Sequence, residues 1–261
     1  PQQLRFRPRE NCIQHVVDYK IKITPAPLGI HDYLDLEGNW VTQIWFQGET
    51  EFFDIEVMMD VKTESHNLFN FILPPEALKL PINHHNDSIC ASAYLERIET
   101  DDSVTAFAAE LSLAVNRDPL QFVDKLNRQL FNDFNSVHRD SGTPQSPALT
   151  LQSRQGACRD LAVLFVDCCR AEGIASRFAS GYQKGNLLSD QRDLHAWPEI
   201  YLPGAGWIGY DPTHGQPVSD THVTIAAAAH SRDTMPVIGS FDGTGVNSSL
   251  SFSVQISVED D

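Results

Sequence analysis

Basic residues are scarce. Lys and Arg number 19 against 35 Asp and Glu, a formal net charge of −16. Nucleic acids and anionic membranes are held by basic surface, so neither is an expected partner. Cysteine is sparse as well: five thiols, an odd number with no C-x-x-C pair, suit reduced side chains in a cytoplasm better than a disulfide scaffold. The simplest zinc-ribbon reading goes with them. No apolar run approaches the ~18 residues that a bilayer span needs, and no secretory-signal pattern precedes the first strand pattern. The chain begins at Pro1 rather than methionine, which leaves room for an upstream piece that has been removed. With no EF-hand-like loop and no acidic cluster spaced for calcium, no cofactor and no metal are expected. The neighbours His84 and His85 lack a third ligand nearby and read as a solvated loop.

What is present is enough for two modest cores, with 261 residues and 41% hydrophobic content. The first third alternates as strands do. Val17, Tyr19, Ile21 and Ile23 form one apolar row that Pro25 and Pro27 stop; after a polar loop and the Gly38-Asn39 turn, Trp40, Thr42, Ile44 and Phe46 form another. Phe53, Ile55, Val57, Met59 and Val61 make a third, with Asp54, Glu56 and Asp60 on its wet face. An antiparallel sheet solvated on one side is the natural result. From about residue 64 to residue 100 loops predominate, marking the crossing into a second unit.

Two helices follow. Asp101, Asp102 and Ser103 cap a segment with Val104, Phe107, Ala108 and Leu111 on one stripe, and Asp118-Pro119 opens another with Val123, Leu126, Leu130 and Phe134. From Asn135 to Thr150 the chain turns polar, a loop expected to wall a cleft. The run Gln155-Gly156-Ala157-Cys158 then enters a helix in which Leu161, Leu164, Phe165, Cys168 and Cys169 recur at core spacing. Cys158 therefore lies in the first turn, where unpaired N–H groups and the helix dipole favour a thiolate. Cys168 and Cys169 belong to the core stripe. Gly173 ends the helix, Arg177 to Tyr182 reads as a strand, and residues 183–192 as a hairpin tip.

A thiolate nucleophile needs a base and an orienting acid. His195, in Leu194-His195-Ala196-Trp197, and Asp211, in Tyr210-Asp211-Pro212-Thr213, supply them, with Asp193 as a local competitor for the acid. On the hairpin joined by Pro203-Gly204-Ala205-Gly206, His195, Trp197, Glu199 and Tyr201 share one face, and Trp207, Gly209 and Asp211 share one on the returning strand. A symmetric four-residue turn sets Leu202 opposite Trp207 and hence His195 opposite His214, roughly 10 Å beyond Asp211 along the strand. A bulge at Pro198, which lacks an N–H, is the expected repair. Val223 to Ala228 and a last alternation through Leu250, Phe252, Val254, Ile256 and Val258 read as closing strands.

The blocks Arg154-x-Gly156-x-Cys158-x-Asp160, Gly173-Ile174-x-x-Arg177, Ser180-Gly181-Tyr182, His195-Ala196-Trp197-x-Glu199, Pro203-Gly204-x-Gly206-Trp207 and Asp211-Pro212-Thr213 resemble the bacterial transglutaminase-like family in content, order and spacing. The resemblance is good from about residue 118 to residue 240. Asp35, Gly38, Asn39 and the strands around them look like the β-domain that often precedes that core, a domain that commonly starts one strand earlier than Pro1. In the family this strand usually has no proline, so Pro198 is a departure from the pattern. The resemblance implies an α+β fold, with an N-terminal antiparallel β-domain over residues 1–95 and a papain-like core over residues 96–261, in which Cys158, His195 and Asp211 form a catalytic triad.

Asp160 and Arg154 match the family block as salt-bridge formers that hold the cleft, and Trp197 as packing that keeps water out. Gln152, six residues before Cys158, stands where papain-like proteases carry an oxyanion-stabilising Gln, alongside the backbone N–H of Cys158. The expected activity is attack on a peptide or side-chain amide through a thioester, hydrolytic rather than crosslinking. Transfer to an amine, as a protein-glutamine gamma-glutamyltransferase does, and a non-catalytic scaffold are the alternatives.

Overall fold

The computed structural model describes residues 1–65, 67–84, 91–139, 141–184, 194–240 and 249–259. His85, Asp193 and most of the 183–192 hairpin tip lie outside the described residues. The architecture is α+β: two antiparallel sheets, a long two-stranded ribbon, and a helical layer packed on the second sheet.

The N-terminal quarter supplies β1 (Gln2–Leu4), β2 (Gln14–Thr24), β3 (Gly29–Leu34), β4 (Trp40–Trp45) and β5 (Asp54–Thr63). β2 and β5 pair with each other over their whole lengths, while β1, β4 and β3 form a separate sheet. Alternation holds along β5, where Asp54, Glu56 and Asp60 are exposed. In β2 it breaks once: the register slips between Val16 and Asp18, and Val17, expected on the dry face with Tyr19, is 64% exposed. The extra residue of a bulge turns its side chain out. β1 and β3 have no alternating signature; Ile30 and Leu34 of β3 are both exposed on what reads as a polar loop.

Helices α1 (Ser92–Leu95), α2 (Asp102–Ala114) and α3 (Pro119–Asp133) follow, the last two starting where their caps predict. Asp101 accepts from the Ser103 N–H at 2.8 Å, Asp118 from that of Gln121 at 3.0 Å, and Pro119 occupies the first helical position. Val104, Ala108, Leu111, Val123, Leu126, Leu130 and Phe134 are buried as their stripes require. The polar stretch after α3 is not wholly loop. Asn135–Ser136 (β6) pairs in parallel with Gln155–Gly156 (β7), and Pro147–Ser153 forms a short helix, α4, with Ser146 as its N-cap. The Ser-Pro pair is a helix start rather than a loop marker.

Helix α5 (Cys158–Ala171) is the centre of the core, buried continuously from Asp160 to Arg170. Leu161, Leu164, Phe165, Cys168 and Cys169 pack with the helices and with Ile200 and Tyr210 of the sheet, while Ala162 and Val163 meet Phe178 and Ala196. Burying each of the larger side chains contributes about 1.5–3 kcal/mol. The helix ends at Gly173, whose φ of +76° suits a residue without Cβ. The Gly173 N–H reaches the Arg170 carbonyl at 3.1 Å and the Ile174 N–H the Cys169 carbonyl at 2.9 Å, the paired bonds of a Schellman cap.

Against α5 lies a sheet of β8 (Ser176–Gln183), β9 (His195–Leu202), β10 (Gly206–Asp211), β11 (Gln216–Pro217) and β12 (His222–Ala228), in the order β11-β10-β9-β8-β12. β13 (Val237–Gly239) leaves this sheet and pairs with β1. The alternating residues 250–258 form no strand; only Val254 and Ile256 are half-buried. Alternation identifies a face but supplies no partner strand.

Candidate active site

The β9–β10 register differs by one residue from the symmetric-turn expectation. Leu202 pairs with Gly206, so three residues make the turn, and the ladder runs only as far as Glu199–Gly209. The next β9 residue is Pro198, which pairs with Phe178 of β8 and has no N–H to offer β10. β10 then separates from β9 and pairs with β11, Tyr210 with Pro217 and Asp211 with Gln216. No bulge is needed. The divergence carries the Asp211 carboxylate back across to His195, whose Nε2 lies 2.8 Å from Oδ2.

Asp211 is fully buried, and four donors converge on it. Oδ1 accepts the Thr213 backbone N–H at 2.9 Å. Oδ2 meets the Nε2 of His195 at 2.8 Å, the Nδ1 of His214 at 2.7 Å and the Nε2 of His222 at 3.1 Å. Burial works against the carboxylate, but the three imidazole N–H groups outweigh it and hold the acid well below its ordinary range. Neither His214 nor His222 stands out in the sequence as a site residue. The naive strand register set His214 opposite His195, which was a signal; His222 comes from β12, across the sheet, and had none.

One ligand atom each from His195, Asp211 and His222 lies within 4.8 Å of the others, close enough to share a metal ion in principle. The direct nitrogen-to-oxygen contacts decide against this arrangement as a preformed metal site. They are hydrogen-bond lengths that require protons on the nitrogens and leave no space for an ion at the ~2.0–2.1 Å that Zn–N bonding demands.

Cys158 is half-buried at the head of α5 and packs against Ala162, Val163, Phe178 and Ala196. The His195 imidazole hydrogen-bonds to Asp211 through Nε2, and Ala196, against which Cys158 packs, is the residue next to His195. Burial disfavours the imidazolium, yet the hydrogen bond to Asp211, with the nearby Cys158 side chain adding to it, prevails and raises the His195 pKa to about 10. The structure therefore joins His195 to Asp211 across β9 and β10, and sets Cys158, at the head of α5, against Ala196, the neighbour of His195.

The other sequence candidates have clear places. Asp160 accepts the Ala157 N–H and the Gln145 N–H, each at 2.8 Å, and Arg139 at 2.6 Å. It thus ties the 137–146 loop to the entrance of α5, the salt-bridging role expected of it. Arg154 forms no such bridge among the described residues: it is the left-handed C-cap of α4, with its guanidinium 4.8 Å from the Phe134 ring and 5.6 Å from that of Phe107. Trp197 is buried with Ala179, Val218 and Ala227 beneath His195, ring centroids 6.0 Å apart. Gln152 is exposed on α4. Among the described residues, no helix is long and apolar enough to cross a membrane.

Comparison with known proteins agrees with this fold. Residues 106–212 match the model of the transglutaminase-like superfamily core, and residues 1–62 that of the bacterial transglutaminase-like N-terminal region. Uncharacterized proteins of Mycobacterium tuberculosis and Mycobacterium bovis are 28% identical over 171 residues, covering 60% of this chain and 53% of theirs. The chain thus spans about half the length of these relatives. A protein-glutamine gamma-glutamyltransferase of Pseudomonas aeruginosa is 39% identical over 69 residues, 24% of this chain and 10% of that one. Among solved structures, a candidate cysteine protease from Cytophaga hutchinsonii superposes with a TM-score of 0.71 at 21% identity, over 91% of this chain and 78% of that one, a likeness of fold. The two family models occur in the order of the sheet and core described above, and the chain belongs to the transglutaminase-like superfamily, with a bacterial transglutaminase-like N-terminal region.

Proposed function

We propose that the protein is a thiol acyl-transfer enzyme that cleaves peptide or side-chain amides, with Cys158 as nucleophile, His195 as base and acid, and Asp211 as the group that orients His195. The observation that carries this reading is the hydrogen bond between the His195 imidazole and the buried Asp211 carboxylate, with Cys158 packed against Ala196, the residue next to His195. The Cys158 sulfur attacks the carbonyl carbon while its proton resides on His195; collapse of the adduct breaks the C–N bond, and His195 returns the proton to the departing amine. The backbone N–H of Cys158, one of the first N–H groups of α5 and so without an intrahelical partner, is the proposed oxyanion donor, with Gln152 as the side-chain candidate.

The thioester then meets water, through which the S–C bond breaks and a carboxylic acid leaves. Hydrolysis is the favoured outcome because it demands only access of water, whereas amine transfer also demands its exclusion. The short stretch shared with a gamma-glutamyltransferase favours the second reading, transfer to a lysine amine. The cytoplasm is the proposed compartment, on the strength of Cys12, Cys158, Cys168 and Cys169 as free thiols.

Two measurements test this. The rate of Cys158 alkylation by iodoacetamide across pH 4 to 9 should show a plateau extending well below about pH 8 that disappears in His195→Ala. An ordinary thiol profile unchanged by the substitution would sink the enzyme reading. Incubation with a casein substrate and a fluorescent primary amine then separates the acceptors: new carboxyl termini or deamidated glutamines mean hydrolysis, and fluorescent protein means transfer.

A further inference from the structure

We propose that His222 is a positioning residue for Asp211, and that the N-terminal β-region serves the site by clamping the strand that carries it. This rests on the triad reading above. Three imidazoles share Asp211 Oδ2, but they are not equivalent. His195 is the reacting group. The His214 side chain is 39% exposed, so water competes for its donor. His222 is buried, and Asp211 lies 3.1 Å from its Nε2 with no water as an alternative. An unsatisfied buried donor is costly, so the contact is strongly enforced.

The ring of His222 is itself fixed on every side. Its Nδ1 lies 2.9 Å from the Thr221 hydroxyl, and its edge meets the Trp197 ring at 75° with centroids 5.1 Å apart. Burial lowers the pKa of the imidazole against the pull of Asp211, and so favours the neutral ring. A neutral ring with one N–H toward Asp211 must accept at Nδ1, so Thr221 donates there and sets the Nε2–H tautomer.

β12 is held from outside by side-chain amides that act as a substitute strand. Gln14, at the start of β2, donates through Nε2 to the Thr224 carbonyl at 2.9 Å and accepts the Thr224 N–H through Oε1 at 2.7 Å, two residues beyond His222. Thr63, at the end of β5, donates to the Asp220 carbonyl at 2.7 Å, two residues before it. The paired ribbon of β2 and β5 thereby grips the chain on both sides of His222. From there the path runs through Asp211 to His195 and Cys158.

The first test needs no substitution. In protein with 15N-labelled histidine, His222 should give the neutral Nε2–H tautomer from pH 6 to 8; an imidazolium or an Nδ1–H tautomer overturns the assignment. The second uses the alkylation profile of Cys158 in His222→Phe, His222→Gln and Gln14→Leu, with thermal melts alongside. His222→Phe should move the acid limb of the plateau up by about one pH unit, a tenfold loss of thiolate at a given acidic pH. His222→Gln, which keeps an N–H donor, should restore most of it, and Gln14→Leu should give a smaller shift of the same sign. A role confined to packing would lower the melting temperature and leave the limb in place, which overturns the inference while the enzyme reading stands. No plateau in the unaltered protein overturns both. Should His222→Phe fail to fold, the tautomer of the native protein decides.

Discussion

The Asp160 carboxylate closes back on the backbone N–H of Ala157 at 2.8 Å, so that the residue before the Cys158 helix is capped from within that helix. Ala157 has no side chain with which to cap it otherwise. The same carboxylate takes Gln145 and Arg139 on its other oxygen. Asp160→Ala leaves a half-buried guanidinium partner and two N–H groups unanswered, and a loss of about 2–3 kcal/mol in urea unfolding is expected. Asp160→Asn keeps the volume but turns one acceptor into a donor facing a donor, and should lose nearly as much. Cys158 alkylation should slow in both, because the first turn of α5 and the 137–146 loop are released together.

Acid should destabilise the protein in two stages. Burial lowers the His222 pKa from 6.5, so the unfolded chain takes up a proton there before the native state does. Stability from this group is complete above about pH 6.5 and falls as pH drops below it. The Asp211 carboxyl is also lowered, from 3.8, by its three imidazole donors against the opposing effect of burial. Its contribution holds above about pH 4 and is lost below. Each proton gives a slope of at most about 1.4 kcal/mol per pH unit. Urea unfolding between pH 3 and pH 8 checks this, and His222→Phe should flatten the upper stage and weaken, without abolishing, the lower one, since His195 and His214 still donate to Asp211.

Gly181 pairs with His195 across β8 and β9, and a methyl group there would sit 2.0 Å from the Val223 carbonyl oxygen and 2.9 Å from the Trp197 ring. The first neighbour is backbone and has no rotamer to escape into. Gly181→Ala should therefore cost about 3 kcal/mol or more and push β12 away from β8, reducing Cys158 reactivity as well as the melting temperature. Retention of both would mean that the sheet yields at this point.

The elements that could be read from the sequence are those whose signals are local. α2 and α3 announce themselves by Asp101 and by Asp118-Pro119, α5 by its apolar stripe, and β5 by strict alternation. β1 and β13 are three residues each and exist because they find one another from opposite ends of the chain. Residues 250–258 show the converse, alternation without a partner. At the site, the pairing of His195 with Asp211 was suggested by residue type and order. Their contact was not legible, because it depends on a three-residue turn and on the end of a ladder at Pro198. His222 was invisible because a sheet neighbour leaves no trace in sequence spacing.

Asn39 ties the two halves together at a second point. Its side-chain amide donates to the Ala227 carbonyl at 3.0 Å and accepts the Ala227 N–H at 2.9 Å, and it also donates to Asp35 at 3.1 Å. The residue is wholly buried, so no water replaces these bonds. Asn39→Asp is nearly isosteric but removes both donors and places a second carboxylate against Asp35. Asn39→Leu removes every bond and leaves the Ala227 N–H and carbonyl unpaired. Each should cost about 2–4 kcal/mol. Because Ala227 lies five residues beyond His222 on the same strand, amide hydrogen exchange along β12 should accelerate in both variants. If the exchange of β12 is unchanged while stability falls, the N-terminal region stabilises the protein without steadying the strand beside the site.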